Sequence, residues 1–328
     1  MKKELNVLYQ FDDKYAPYAG ISMYSLFENN QNIESLNVYC AAMDVSDENF
    51  QLLIENAEKY NRKIVFLDTE KAIEQIKAFN VKEWNGSLAT WMKIFVIEDL
   101  IGKIDSLLYI DCDTLVLGNL VELCNFDFGN KAMAAVVDAI GFEHLRRLEI
   151  TENKYYFNAG IMFFNLKYFQ EHGNFYEKML EHLRKNIYRY PVNDQDLLND
   201  YFKQNIKKMN LEYNFQGIHY IYNDGAYLKV YGKYDYYTKE EIAHAHDEVK
   251  ILHFLRALGN YPWEKDNIHP LRNLFEEWKE KSLWKDVPPV NKKKTMFFKI
   301  EIILYKCLPN FIFLKLFKFM KANYGKNK

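Results

Sequence analysis

Four short apolar runs in the first 110 residues, each followed by a stretch of helical periodicity or a polar turn, constrain this chain more than any other feature. Residues 5–9, 36–40, 64–67 and 106–110 read as strands. Between them, residues 17–27 carry a helical pattern with Pro17 in the first turn, and Ser46 is placed to cap a helix running to about residue 60. Residues 69–79 are helical again, and Ser87 is placed to cap a helix through residue 100. This alternation predicts an α/β fold with a mostly parallel, doubly wound sheet. Ligands of such sheets bind beyond the carboxyl ends of the strands. Two acidic clusters fall there: Asp12-Asp13 after the first strand and Asp111/Asp113 after the fourth.

Beyond this half, residues 132–137 form another apolar strand ending in Asp138, followed by a polar loop to about residue 154. Residues 156–166 read as a buried strand, 167–190 and 194–203 as helices, and the Tyr-rich stretch 213–237 as loops and short strands. The run ILHF at 251–254 contributes His253. Pro288-Pro289 and Lys292–Lys294 mark a boundary, dividing the chain into a body (1–287) and a tail (288–328).

Charge separates the same two parts. The 328 residues carry a formal net charge of −2, which argues against a dedicated nucleic-acid binder. From residue 291 to the end there are ten Lys and one Glu, a net +9, so residues 1–290 carry −11. The tail interleaves Phe, Ile and Leu with Lys and is broken once, at Pro309. Lysines on one side and aromatics on the other describe a helix lying in a membrane interface; the bland alternative is a helix docked on the body with its lysines solvated. Cys40, Cys112, Cys124 and Cys307 lie far apart with no CxxC pair, which suits a reducing compartment and disfavours a zinc site. The opening MKKELNVLYQFDD reads as a first strand and not as a signal peptide. No run of about 18 apolar residues is present to span a bilayer. A cytoplasmic location is the expectation, and under it the sequon Asn85-Gly86-Ser87 carries no meaning.

Asp111 and Asp113 are an i, i+2 pair, so in extended chain they share a side about 7 Å apart and can hold one cation or a cation-bound phosphate. Carboxylate oxygens suit Mg²⁺ or Mn²⁺, and an added imidazole, His253, favours Mn²⁺. Asp194-Gln195-Asp196 opens a helix, either as acids favouring its macrodipole or as an acid and an amide aimed at a polar substrate. Asn158-Ala159-Gly160 opens a buried strand, either as an entry turn or as a side-chain amide and close backbone approach to a ligand.

In order and spacing, YIDCDTLV, YFNAGIMFFNL, NDQD and ILHF…PW resemble glycosyltransferase family 8, from about residue 5 to Trp263. The resemblance implies a GT-A fold with a helical C-terminal extension, a UDP-hexose donor (galactose or glucose) and Mn²⁺, with Mg²⁺ as the substitute. It implies retention of configuration and a glycan or lipid-linked glycan acceptor in surface polysaccharide or lipopolysaccharide synthesis. On these positions Asp111, Asp113 and His253 match the metal ligands. Asp12, Tyr15, Lys93, Asp111, Cys112, Asn158, Ala159, Asp194, Arg256 and Gly259 match the donor site. Gln195 and Asp194 match the catalytic positions, and Asp138 a position facing the acceptor. Gln195 is a poor nucleophile, which favours same-face attack over double displacement.

The chain departs from the family at Lys14 (usually Asn) and Lys93 (usually Arg, whose bidentate contact Lys cannot make). It departs again after His253, where the usual phosphate-binding Lys is absent and Arg256 is a replacement charge. These departures motivate one alternative, a catalytically weak nucleotide-sugar-binding protein. A second, a haloacid dehalogenase-type phosphatase, shares an hhhDxD motif but usually places it near the N-terminus with Thr or Val where this chain has Leu115.

Overall fold

The computed structural model describes residues 3–83, 87–139, 142–151, 155–222, 226–231, 236–256, 260–291 and 295–324. Asn85 and Gly86 of the sequon, Gly259 and Lys292–Lys294 lie outside them. The strands are β1 (Glu4–Asp12), β2 (Ser35–Met43), β3 (Lys63–Phe66), β4 (Ser106–Ile110), β5 (Thr114–Val116), β6 (Met133–Val137), β7 (Phe157–Asn165), β8 (Ile206–Lys208), β9 (Phe215–Gln216) and β10 (Ile251–His253).

Seven strands form the main sheet in the order β3-β2-β1-β4-β7-β6-β8. All run parallel except β7, which is antiparallel to both β4 and β6. Both faces are covered. Val7, Tyr9 and Phe11 of β1 enter one apolar layer with Leu108, Ile110, Ile161 and Phe163. Leu8 enters the other with Leu107, Tyr109, Met162 and Phe164. That is why β4 and β7 read as nearly continuous apolar runs. The reversed β7 matters for the site, because its N-terminal residues 157–160 arrive at the end where β1 and β4 finish. The order of the strands also reverses between β1 and β4, the crevice where such sheets take ligands. A second sheet, β5-β10-β9, packs at this end, with β10 antiparallel to β5 so that His253 lies opposite Thr114.

Several local expectations change. Residues 89–100 form a five-residue α-helix, Met92–Val96, between two 3₁₀ turns, and Ser87 accepts the Ala89 N–H at 3.2 Å, outside that helix. The polar loop after Asp138 contains the helix Phe142–Arg147. The span 167–190 splits into Leu166–Glu171 and Phe175–Asn186, because Asn174 takes a left-handed φ of 58° between them. The Tyr-rich stretch contains the helices Ile218–Ile221 and Ala226–Tyr231, too short to show periodicity. Ser46 caps Asp47–Glu58 as expected, accepting from the Asn49 N–H.

The tail is two helices, Met296–Cys307 and Asn310–Tyr324, parted by Pro309. Its approach is anchored where the Lys265 N–H donates to Val290 O (2.9 Å) and the Val290 N–H to Trp263 O (3.0 Å). Phe313 and Leu314 are fully buried in a third apolar cluster with Ile221, Tyr222, Ala226 and Tyr227. The tail therefore packs on the body by one stripe. Met296, Ile300, Ile303, Phe311, Ile312 and Leu316 remain exposed on it.

Candidate active site

The paired acids after β1 part company in the fold. Asp13 accepts the Ser46 N–H (2.8 Å) and hydroxyl (2.7 Å) and the Asn49 amide (2.9 Å). These hydrogen bonds hold its carboxyl below the usual range and tie the loop to the next helix, so Asp13 is structural. Asp12 instead lines a cavity of about 200 Å³ with Gln10, Lys14, Tyr15, Tyr109, Asp111, Asp113 and Tyr261 among its walls.

Asp111 and Asp113 of this cavity floor cluster with the buried His253: one ligand atom from each can be chosen so that all three lie within 4.8 Å of one another. His253 Nε2 is 3.1 Å from Asp113 Oδ1 and 3.9 Å from Asp111 Oδ2. Backbone geometry fixes the group: the Asp111 N–H donates to Gly160 O (2.7 Å) and the Phe254 N–H to Asp113 O (2.9 Å). Gly160 is required, since a Cβ there would lie 2.2 Å from His253 Cε1.

The imidazole is oriented from behind. Asn214 Nδ2 donates to Asn158 Oδ1 (2.9 Å), which leaves Asn214 Oδ1 facing His253 Nδ1 at 3.1 Å. Nδ1 therefore donates to Asn214, and Nε2 points at the carboxylates, as a ligating histidine is commonly held. Burial alone would depress the His253 imidazole, but Asp113 overrides it and holds it above its usual range. Burial pushes the Asp111 carboxyl up to about 6 against the pull of Lys93, and neighbouring Asp113 adds to the rise. Tyr109, kept protonated by burial, donates its hydroxyl to Asp111. Two crowded carboxylates and one imidazole on preset supports are a donor set that fits a hard or borderline divalent cation. Cys112, between the acids, points inward, its thiol 3.2 Å from Gln10 O and pushed up by burial.

Beside this floor lies a buried polar network. Lys93 Nζ is 2.7 Å from Asp194 Oδ2, donates to Ala159 O at 3.1 Å, and sits 3.9 Å from the centre of the Tyr109 ring. The Ala159 N–H donates to Gln195 Oε1 (2.9 Å). Asp138 Oδ2 accepts from Asn158 Nδ2 at 3.0 Å and lies 3.4 Å from Gln195 Nε2. Asp196 faces away, accepting from Arg147 (2.7 Å) and the Tyr156 hydroxyl (2.6 Å), and so anchors its helix, Asn193–Phe202.

These positions, from Asn6 to Asn267, match the family model of glycosyl transferase family 8. The chain belongs to glycosyltransferase family 8. It is 31% identical over 224 residues to a putative glycosyltransferase of Haemophilus influenzae, covering 64% of this chain and 63% of that protein. It is 28% identical over 302 residues to the lipopolysaccharide 1,2-glucosyltransferase of Escherichia coli K12, covering 90% and 83%. Among solved structures, the galactosyltransferase LgtC, in complex with donor and acceptor sugar analogues, superposes with a TM-score of 0.67 at 21% identity over 85% of this chain and 96% of that one. The bifunctional glycosyltransferase WbbM gives 0.70 at 23% identity; the chain covers only 51% of its length. The fold is that of the GT-A glycosyltransferases.

Within this family 8 chain, Asp12, Tyr15, Asp111 and Cys112 line the cavity, while Asn158, Ala159, Lys93, Asp194, Gln195 and Asp138 share the adjoining network. Arg256 lies beside the wall residue Tyr261, its guanidinium 5.3 Å from the centre of that ring. Sequence reasoning missed Tyr109, Asn214, Tyr261 and Gln216. Asn214 and Gln216 lay unseen because NFQ at 214–216 looked like packing within the Tyr-rich stretch. Only the pairing of β9 with β10 puts them beside His253.

Proposed function

We propose that the protein is a metal-dependent retaining hexosyltransferase, moving galactose or glucose from a UDP-sugar to a glycan acceptor in lipopolysaccharide or surface polysaccharide synthesis. The observation that carries this reading is the Asp111–Asp113–His253 cluster, whose two carboxylates line a cavity at the β1/β4 crevice of a family 8 chain. The relatives named for lipopolysaccharide glucosyl and galactosyl transfer support the substrate class.

Asp111, Asp113 and His253 would hold Mn²⁺ or Mg²⁺, which supplies positive charge to a departing diphosphate. Lys93 fixes Asp194 in one orientation, and Asp194 with Asn158 is positioned to accept and donate hydrogen bonds to sugar hydroxyls. Gln195 has its carbonyl engaged by Ala159 and its amide turned to Asp138. An amide so held is no nucleophile, which favours attack on the face from which UDP departs, with a UDP oxygen taking the acceptor's proton. A glycosyl adduct trapped on Gln195 or Asp194 would overturn that mechanism.

The exposed apolar residues on the tail helices, interleaved with Lys299, Lys306 and Lys315, support peripheral attachment to the anionic cytoplasmic face of a membrane, where a lipid-linked acceptor would be met.

The deciding experiment is UDP release from a panel of UDP-sugars with Mn²⁺ and with chelator. Chelator-sensitive turnover of one hexose donor is expected. If neither turnover nor metal-dependent UDP binding is seen, the assignment fails. Metal-dependent donor binding with no turnover on any acceptor would favour the weak-binding-protein alternative, which the Lys14 and Lys93 departures motivate.

A further inference from the structure

The third apolar cluster lies one step from Asp138. Asp138 follows β6, and the backbone on either side of it is stapled by one buried side chain. Gln216 Nε2 donates to Val137 O (3.0 Å), and the Ala139 N–H donates to Gln216 Oε1 (3.0 Å). Gln216 is 1% exposed and pairs in register with His253. Neither of its bonds is part of a sheet ladder; they tie the backbone beside Asp138 to β9, in addition to the hold from the β7 side, where the Asp138 N–H donates to Tyr156 O (2.8 Å). The next residue, Gly217, leaves no slack: its N–H donates to His253 O (2.8 Å), and a Cβ on it would lie 2.5 Å from Phe254 O.

The tail covers the other side of this segment. The helix Ile218–Ile221 begins directly after Gly217. Ile221 and Tyr222 are buried in one apolar cluster with Phe313 and Leu314, and Ala139 and Ile218 border that cluster. The tail helix is fixed further along by Lys318 Nζ, which donates to Val230 O at 3.1 Å. Leu304, Tyr305, Leu308 and Phe317 complete the cover from the tail side. Ala139, whose N–H is one end of the staple, and Ile218, two residues beyond Gln216, therefore both border a cluster that the tail closes.

We infer that the two C-terminal helices brace one wall of the active site, holding Gln216 and through it the backbone of Asp138. Gln216, Phe313 and Leu314 are positioning residues for that wall. The functional consequence rests on the reading of Asp138 as facing the acceptor: the surface that meets the membrane and the carboxylate that meets the acceptor then move as one piece. The tail's two faces divide the work, with Phe313 and Leu314 inward and Ile303 and Ile312 outward.

The test compares full-length variants in membrane-free solution. Phe313→Ser with Leu314→Ser removes the inward stripe, and Ile303→Ser with Ile312→Ser alters only the outward face. Hydrogen–deuterium exchange at Ala139 and across 218–222 is read beside exchange of β4. The inward variant is expected to speed exchange at Ala139 by roughly tenfold or more while β4 stays protected, and the outward variant to leave both unchanged. Gln216→Met, which keeps the bulk and drops both hydrogen bonds, should reproduce the change at Ala139 with the tail still docked. Unchanged exchange at Ala139 in the inward variant overturns the brace. So does an equal rise in β4, which would mean general loosening. UDP affinity with Mn²⁺, measured by calorimetry, should stay within about twofold in the inward variant, because the cation cluster hangs on β4, β5 and β10. Absence of UDP binding in the unaltered protein would count against the glycosyltransferase reading alone, since the exchange result is independent of it.

Discussion

The carboxyl end of the sheet and the C-terminal helix pair break the usual rule of burial in opposite directions. At the sheet end, charge is buried: Lys93 and His253 are 2% exposed, Asp138 and Asp194 7%. At the tail, large apolar side chains stand in the open, with Met296 at 73% and Ile303 at 60% exposure. Each of those buried charges has a specific partner within hydrogen-bonding distance. The exposed apolar groups share a stripe interrupted by lysines. A buried charge is tolerated only where neighbours were arranged around it, and it marks chemistry. Apolar surface left in water marks a partner.

The comparison is broken most severely at Asp113. Asp113→Ala should reduce metal-dependent UDP release by roughly a thousandfold, equivalent to about 4 kcal/mol of transition-state stabilisation, with circular dichroism unchanged. Retained activity would remove the carboxylate cluster from the mechanism.

Lys93→Met tests whether the buried network is a set of mutual dependencies. It strands Asp194 without its counter-ion, and a loss of about 3–5 kcal/mol in denaturant unfolding is expected. The double variant with Asp194→Asn should recover part of that loss. If the single substitution is neutral, the pair is not what holds this part of the site.

Gly160→Ala introduces a methyl where the His253 ring now lies. Displacing one ligand in this way should weaken Mn²⁺ binding by roughly 10–100-fold, read by calorimetry, with little change in the β4–β7 pairing. Unaltered affinity would show that His253 is no ligand.

The smallest effect belongs to the tail. Ile303→Ser with Ile312→Ser should lower partitioning onto anionic vesicles roughly tenfold, while UDP release in solution is unaffected. Equal binding by both proteins would leave the exposed stripe without its proposed partner.

Much of the site was legible because strand-end chemistry is local. SLLYI followed by Asp-Cys-Asp announces a buried strand ending in two acids on one side, and no distant residue is needed to see it. The same holds for the Ser46 cap and for Pro309 as the break between the tail helices. Other features were illegible because they depend on register between distant segments. Asp12 and Asp13 are indistinguishable as neighbours; packing of the helix Asp47–Glu58 sends one to a cap and leaves the other on the cavity. Nothing in NFQ at 214–216 shows that Asn214 will hold an imidazole or Gln216 a strand end.

The α/β alternation, the acids at the ends of β1 and β4, and the contrast between an acidic body and a basic, aromatic tail are written in the chain itself. These follow from periodicity and charge along a few consecutive residues. Folding alone brings β7 backwards into the crevice, sets Lys93 against Asp194, and closes the tail on the cluster beside Asp138. Each of those joins residues scores of positions apart, where the geometry is set by which faces the folded chain must bury together.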